Sequence, residues 1–458
     1  MTWTAFDPVR RSSPRERSSS PGVRPRPRVV DVAATLVGIG FGASVGLAIT
    51  DEPMRQLTAP GGVLTFLGSL TGLSGTYLAL VMVLLVSRLP VVERVLGQDG
   101  LLRWHRRLSP WPLSLIAAHA VFLTLADAEV ARTGPLAELG SLIAAYPSML
   151  IATVALGIMV AIGTVSIYAV RRRLRRETWW TMHLFMYLAL ALAFPHEILL
   201  GPSFVGHPVT QAVWSAAWTG TAGVVLAYRV GLPVARSLRH RLVVEDIYPE
   251  TPGVVSVILR GRDLDRLRIS GGQFFQWRFL APGMWWQAHP FSVSARPRPP
   301  YLRLTIKAVG DYSAAVAQLR PGTRVAIEGP YGAFTTHARR RQKVALIAGG
   351  IGVTAVRSLL EDLRKSSDPV VVLRASRAED LTLSGEVDKL VQSRKGQLRT
   401  IVGTRKEIRV DDLPRLIPDL DDRDIYIAGP GGFVHHIRAA LEEIGVPGEA
   451  IHYEEYAL

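Results

Sequence analysis

The chain has 458 residues, 48% of them hydrophobic, and a formal net charge of +15. Its mean hydropathy is +0.21, which points to a membrane protein with a soluble part, and the length allows two to four domains. With no cysteine, disulfides, thiolate metal sites and Cys-ligated iron–sulfur clusters are excluded, so any redox chemistry must use bound cofactors.

Residues 1–28, ending RSSSPGVRPRPR, hold seven arginines against Asp7 and Glu16, a composition that predicts a disordered basic N-terminus. Arg10-Arg11 is followed by no clear cleavage site, so no removed leader is expected. Six apolar spans follow, at about 29–49, 63–86, 108–127, 144–170, 179–200 and 210–233, each near the ~20 residues that cross a bilayer. The N-terminus, the 87–107 loop, the RRRLRR run at 171–176 and the RSLRHR segment at 236–241 are basic, while the loops near 51–60, 128–143 and 201–209 have few arginines. The positive-inside rule puts both termini in the cytoplasm of a multi-pass plasma-membrane protein. The overall charge therefore reads as topology, not nucleic-acid binding.

Four histidines stand out in this half. His105 and His119 are fourteen residues apart, and His183 and His196 are thirteen apart. Each pair spans roughly 20 Å of helix axis, about two-thirds of a hydrocarbon core of ~30 Å. The third and fifth spans both run outward, so His105 should face His183 near the inside and His119 should face His196 near the outside. Facing histidines in a bundle hold six-coordinate haem. The bland alternative is a set of interhelical hydrogen bonds. Fourteen residues return to within about 40° of one helix face, but thirteen miss it by about 140°; Pro195, just before His196, is placed to re-aim that side chain through a kink.

From about 241 the pattern becomes short alternating strands: RLVVEDIY, GVVSVILRG, GQFFQWRFL, HPFSVSA, YLRLTIKAV and TRVAIEGPYG. They predict a small antiparallel β-barrel over 240–340. From about 343, KVALIAGG, PVVVLRAS, QLRTIVG and DIYIAGP alternate with helices near 353–365, 384–393, 411–416 and from 432, which predicts an α/β parallel-sheet domain over 341–458. Gly349, Gly350, Gly352 and Thr354 sit where a strand gives way to a helix, a place where backbone N–H groups can approach a pyrophosphate. A second such turn holds Gly429 and Pro430.

The order and motifs resemble the ferredoxin–NADP reductase superfamily fused to a ferric-reductase-type haem membrane domain, as in NADPH oxidases and ferric-chelate reductases. The resemblance covers about 29–458 and implies a multidomain chain. A six-helix transmembrane haem bundle at 29–235 comes first, then an FAD-binding barrel and an NAD(P)-binding domain. It implies FAD, two b-type haems and NADPH or NADH as cofactors. His289, Pro290, Phe291 and Ser292 resemble the flavin motif, with Pro290 and Phe291 lining the isoalloxazine and Ser292 near its reactive nitrogen. Lys307, Gly310, Asp311 and Ser313 resemble the flavin-pyrophosphate segment, with Ser313 and backbone amides as donors. Gly329-Pro330-Tyr331-Gly332 resembles the turn that closes the flavin domain. Ala428 stands where the family often has Cys, and Tyr456 where its terminal stacking aromatic is often Phe or Trp. Arg374 and Arg377 follow one strand of the predicted sheet and Arg405-Lys406 the next; a guanidinium there suits a 2′-phosphate and favours NADPH over NADH, with Arg377 as the specific candidate.

The expected function is NAD(P)H oxidase or ferric-reductase-type electron transfer, outward across the membrane to dioxygen or a ferric chelate. No catalytic residue is needed beyond those that position cofactors. Two alternatives stay open: donation to an extracytoplasmic partner reductase, and a membrane-anchored flavin reductase without a haem relay.

Overall fold

The computed structural model describes residues 27–51, 57–171, 173–174, 176–403 and 412–456. The basic N-terminus expected at 1–28 falls almost wholly outside these residues, and Arg405-Lys406 and half of the 51–60 loop fall outside them too.

The first half is helical: α1 Pro27–Asp51, α2 Gly62–Leu85, α3 Pro90–Leu108, α4 Pro110–Ala131, α5 Pro135–Ala145, α6 Pro147–Ser166, α7 Tyr168–Arg171, α8 Arg176–Leu200, α9 Pro208–Val225 and α10 Leu232–His240. Proline opens α3, α4, α5, α6 and α9, where its missing N–H has no helical partner to lose. Two predicted loops are corrected here. The 87–107 segment is mostly α3, and the 128–143 segment holds the end of α4 and most of α5. Charge density hid α3, since Glu93, Arg94, Asp99, Arg103, Arg106 and Arg107 dilute its apolar pattern.

Among the described residues, five helical stretches are long and apolar enough to cross a bilayer: Asp31–Thr50, Gly62–Leu85, Gly100–Ala131, Pro147–Ser166 and Thr178–Leu200. The sixth expected span, 210–233, is helical but is not one of the five. It runs through α9 into a π-helical turn, Leu226–Gly231, and Thr210, Gln211, Ser215, Thr219, Thr221 and Arg229 lower its hydropathy. Ala48, Leu73, Leu80, Met159, Ala189 and Trp214 form part of the bundle core. Leu36, Ile39, Trp111, Val121 and Leu188 point outward and are exposed, as suits helices whose outer faces meet lipid.

The second half holds two sheets. Strands β1 Leu242–Thr251, β2 Val254–Arg260, β3 Phe274–Phe279, β4 His289–Ser292, β5 Tyr301–Lys307 and β6 Arg324–Tyr331 form an antiparallel sheet in the order β4-β3-β6-β1-β2-β5. An antiparallel bridge between Val293 and Leu304 joins its two flanks. Burial alternates along β3, so Phe275, Trp277 and Phe279 face the core with Val257, Leu259 and Leu304, the period expected of a strand with one buried face. A short helix, α11 Asp311–Ala315, precedes β6.

The last sheet is parallel: β7 Lys343–Gly349, β8 Val370–Ala375, β9 Gln397–Val402, β10 Arg423–Pro430 and β11 Ile451–Tyr456, in the order β11-β10-β7-β8-β9. Helices α12 Val353–Asp362, α13 Ser384–Gln392, α14 Leu413–Leu416 and α15 Gly431–Glu443 connect these strands. Strand β10 is buried along almost its whole length, as a central parallel strand must be. The terminal strand β11 was missed by the sequence reading. Its IHYEEY sets two adjacent glutamates among aromatics and carries little strand signal on its own.

Candidate functional site

The four intramembrane histidines meet in two pairs. His105 on α3 faces His183 on α8 with ring centroids 6.2 Å apart, and His119 on α4 faces His196 at 6.3 Å. The backbone stays helical through Ser109, between α3 and α4, so His105 and His119 lie along one nearly continuous rod. Pro195 lies inside α8, and both α8 histidines reach their partners across the thirteen-residue interval.

Hydrogen bonding sets the tautomer of the first histidine in each pair. His105 Nδ1 lies 3.3 Å from the Met82 carbonyl, and His119 Nδ1 lies 2.8 Å from the Gly68 carbonyl. A carbonyl only accepts, so each Nδ1 carries the proton and each Nε2 keeps its lone pair, the arrangement of a metal-binding imidazole. The separations fit as well. Ring centroids 6.2 and 6.3 Å apart are too far for the two imidazoles of a pair to touch and leave room for one metal ion between them. The residues present therefore fit a bis-histidine haem at each level.

The sequence reading missed what makes these contacts. Gly72 lies so close to α4 that a Cβ there would meet His119 Nδ1 at 2.5 Å, and a Cβ on Gly68 would meet Leu123 at 2.4 Å. The Gly68, Gly72, Gly75 run was the readable signal, since small residues at such spacing let membrane helices touch. Glu197 was missed too. It is enclosed by Thr76 (2.9 Å), Trp214 (2.7 Å) and Trp218 (3.1 Å), all donating to its carboxyl group. One side chain thus ties α8 to α2 and α9 next to His196.

In the antiparallel domain, Ser292 on β4 is buried. Its Oγ lies 3.2 Å from the Tyr456 hydroxyl and 3.4 Å from Glu454 Oε1. Strand β11 pairs Glu455 and Tyr456 with Gly429 and Pro430, so the last strand joins the flavin-type motif to the second glycine turn, and burial, then the nearby Glu454 carboxylate, push the Tyr456 phenol above its usual range. His289 stacks on Tyr312 at 3.9 Å and meets Gln287 at 3.0 Å; Phe291 sits beside it, while Pro290 is exposed. Tyr312 and Glu454 went unrecognised in the sequence.

The expected pyrophosphate segment is arranged differently. Ser313 Oγ accepts from the Val309 and Gly310 amides at 2.9 and 3.1 Å and donates to the Gly310 carbonyl at 2.9 Å. The hydroxyl and both amides are engaged with each other, so Ser313 shapes the loop and is not a free donor. Lys307 stands at the end of β5 and Asp311 opens α11.

Strands β7 and β10 are parallel neighbours, which brings the two glycine turns together. A Cβ on Gly352 would meet the Ala428 carbonyl at 2.1 Å, and Gly429 (φ +159°) lies 3.1 Å from the Gly349 carbonyl by the same measure. Gly350 has φ +55°, a region that favours glycine. Pro430 precedes α15. Of the basic candidates, Arg374 donates to the Gly403 carbonyl at 2.5 Å and is not a free guanidinium. Arg377 is 70% exposed and pairs with Glu379 at 2.8 Å and Asp380 at 3.5 Å.

Comparison with known proteins agrees with this division. Residues 71–194 match the ferric reductase like transmembrane component, and residues 252–335 match an FAD-binding domain. A flavohemoprotein of Xylella fastidiosa is 25% identical over 231 residues, 47% of this chain and 58% of that protein. NADPH oxidase 3 of Rattus norvegicus is 24% identical over 244 residues, 45% of this chain and 42% of that protein. The flavohem-like FAD/NAD-binding domain of nitric oxide dioxygenase from Vibrio cholerae aligns over 48% of this chain and 99% of its own, with a TM-score of 0.42 and 22% identity. The chain spans about half to three-fifths of the length of the first curated relatives it matches.

Proposed function

We propose that this membrane protein, an oxidoreductase joining a ferric reductase-like transmembrane component to an FAD-binding domain of ferredoxin–NADP reductase type, moves electrons from NAD(P)H on the cytoplasmic side to an acceptor outside. The observation that carries this reading is the pair of histidine clamps, at 6.2 and 6.3 Å, one on each side of a shared bundle.

His105 and His183 would hold an inner b-type haem and His119 and His196 an outer one. The Met82 and Gly68 carbonyls keep the first ligand of each pair in the right tautomer. Lys307, Gly310 and Asp311 would surround the FAD pyrophosphate on a loop that Ser313 shapes, with His289, Pro290, Phe291 and Ser292 at its ring. Gly349, Gly350, Gly352, Thr354, Gly429 and Pro430 would cradle NAD(P)H, with Tyr456 between the two sites and Arg377 favouring NADPH. Bound together, these groups supply hydride transfer to the flavin and single-electron transfer across the bilayer, outward movement being favoured by about 2.3 kcal/mol per 100 mV when the inside is negative. The chain's residues orient the cofactors and exclude water.

The topology that goes with this reading is six spans over 29–235, both termini cytoplasmic, a flavin barrel over 240–340 and a nucleotide domain over 341–458. The acceptor is dioxygen, yielding superoxide, or a ferric chelate. NADPH oxidation by inside-out vesicles, with oxygen or a ferric chelate enclosed, separates these two. Oxidation that needs neither, in a protein whose visible spectrum has no b-type haem band, would replace the relay with a haem-free flavin reductase. Oxidation that needs an added extracytoplasmic protein would point to a partner reductase.

A further inference from the structure

Helix α2 ends in a tight turn at the boundary between the bundle and the antiparallel domain. Ser87 Oγ donates to the Leu84 carbonyl at 2.7 Å, and Arg88 follows with φ +64°, a left-handed conformation that an arginine keeps only where its surroundings fix it. Two things fix it. Its guanidinium pairs with Glu328 Oε1 at 2.7 Å, with the two side chains only 14% and 21% exposed. It also lies over the Tyr331 ring, 4.4 Å from the centroid, a cation–π distance. The Tyr331 hydroxyl donates to the same Glu328 oxygen at 3.1 Å.

This clasp grips the end of β6 just as it enters the turn that closes the flavin-type domain. Helix α10 grips the same stretch from beside it, where Arg236 donates to the Gly329 carbonyl and Ser237 Oγ accepts from the Ile327 amide at 3.0 Å. Tyr331 in turn leans on Phe274, 5.9 Å away, and Phe274 is the register partner of Ser292. On the membrane side, the last turns of the helix that Arg88 terminates carry the Met82 carbonyl, which binds His105 Nδ1. Six residues of chain therefore link the inner histidine to the flavin-side turn.

We propose that Arg88 is a positioning residue that fixes the flavin-binding domain against the inner histidine pair, clasping Glu328 and Tyr331 from the end of the helix whose Met82 carbonyl orients His105. The proposal rests on the relay reading above, but the clasp itself is testable without any cofactor. The test uses the full chain as Arg88→Glu, as the swapped pair Arg88→Glu with Glu328→Arg, and as Arg88→Gln.

Hydrogen exchange of amides 324–332 in cofactor-free protein is the first readout. Reversal should accelerate it on the order of tenfold, which is about 1.4 kcal/mol, and the swapped pair should restore protection. In loaded protein without oxygen, the rate of flavin reduction by NADPH should stay unchanged while haem reduction slows in Arg88→Glu and recovers in the swap. Should Arg88→Glu fail to fold, Arg88→Gln must show the same split in milder form. Unchanged exchange, or a swap that restores nothing, overturns the clasp. Faster exchange with undiminished haem reduction overturns the positioning role. Absence of haem from the wild type would sink the relay reading, and the exchange result would still decide the clasp.

Discussion

The Tyr456 hydroxyl lies 3.2 Å from Ser292 Oγ, although 164 residues separate them in sequence. Tyr456 is also the register partner of Pro430, so a single residue bridges the flavin-type strand and the second glycine turn. Tyr456→Phe keeps the ring and deletes the bridge. A neutral hydrogen bond contributes about 0.5–1.5 kcal/mol, or roughly twofold to tenfold. Flavin reduction by NADPH in a stopped-flow instrument should slow by that factor with FAD content unchanged. Loss of FAD would mean that the hydroxyl serves flavin binding.

Two b-type haems per chain are expected in the intact protein. His119→Ala should leave one, because the inner clamp of His105 and His183, 6.2 Å apart, uses neither α4 nor His196. Haem-to-protein stoichiometry by the pyridine haemochrome assay decides this. A ratio near one in the wild type would remove the outer site from consideration.

Arg377 should govern nucleotide preference only partly. Its guanidinium is exposed and paired with Glu379 and Asp380, and exposed pairs contribute about 0–1 kcal/mol, so the side chain is free to exchange them for a phosphate. A charge-assisted contact to the 2′-phosphate is worth about 1.5–3 kcal/mol, or roughly tenfold to a hundredfold. Arg377→Ala should raise KM for NADPH toward that extent and leave NADH nearly unchanged. Equal losses with both nucleotides would assign Arg377 to the shared pyrophosphate or to the fold.

Glu93, on α3, gives the contact between the bundle and the flavin-type domain a pH dependence. Burial raises its pKa from the usual 4.5 to about 7, Arg88 opposing the rise and Glu328 adding to it; Tyr331 faces the same cluster. The folded state thus holds a proton that the unfolded chain releases. The favourable contribution is complete below about pH 4.5 and is lost as pH rises through about 7. Thermal unfolding of the solubilised protein should show Tm falling over that interval, and Glu93→Gln should flatten the fall. A wild-type Tm that rises from pH 5 to 7, with no difference in the Gln variant, would mean that Glu93 is ionised throughout.

What the sequence made legible was whatever depends on residue type and local period. Rare histidines in apolar runs stood out, and the strand–glycine–helix order predicted nearly every strand of the two sheets. What stayed hidden depends on register between elements. No local pattern says that the Gly68 carbonyl lies level with His119, or that Glu197 lies level with Trp214 and Trp218. Ser313 illustrates the limit from the other side. Its type suited a phosphate donor, but the chain's curvature turns its hydroxyl back on Val309 and Gly310. Helix α3 was hidden because its charged residues resemble those of a solvated loop.

Gly352 packs its α-carbon against the Ala428 carbonyl so tightly that a methyl group would sit 2.1 Å from the oxygen. Both glycine turns are therefore required by the meeting of two neighbouring strands before any dinucleotide arrives. A descendant of this chain that had ceased to bind a nucleotide would still be selected to keep Gly352. Retention of that glycine in a lineage accordingly reports an intact parallel sheet, whereas drift at Arg377, an exposed side chain paired only with Glu379 and Asp380, would record a change of nucleotide preference.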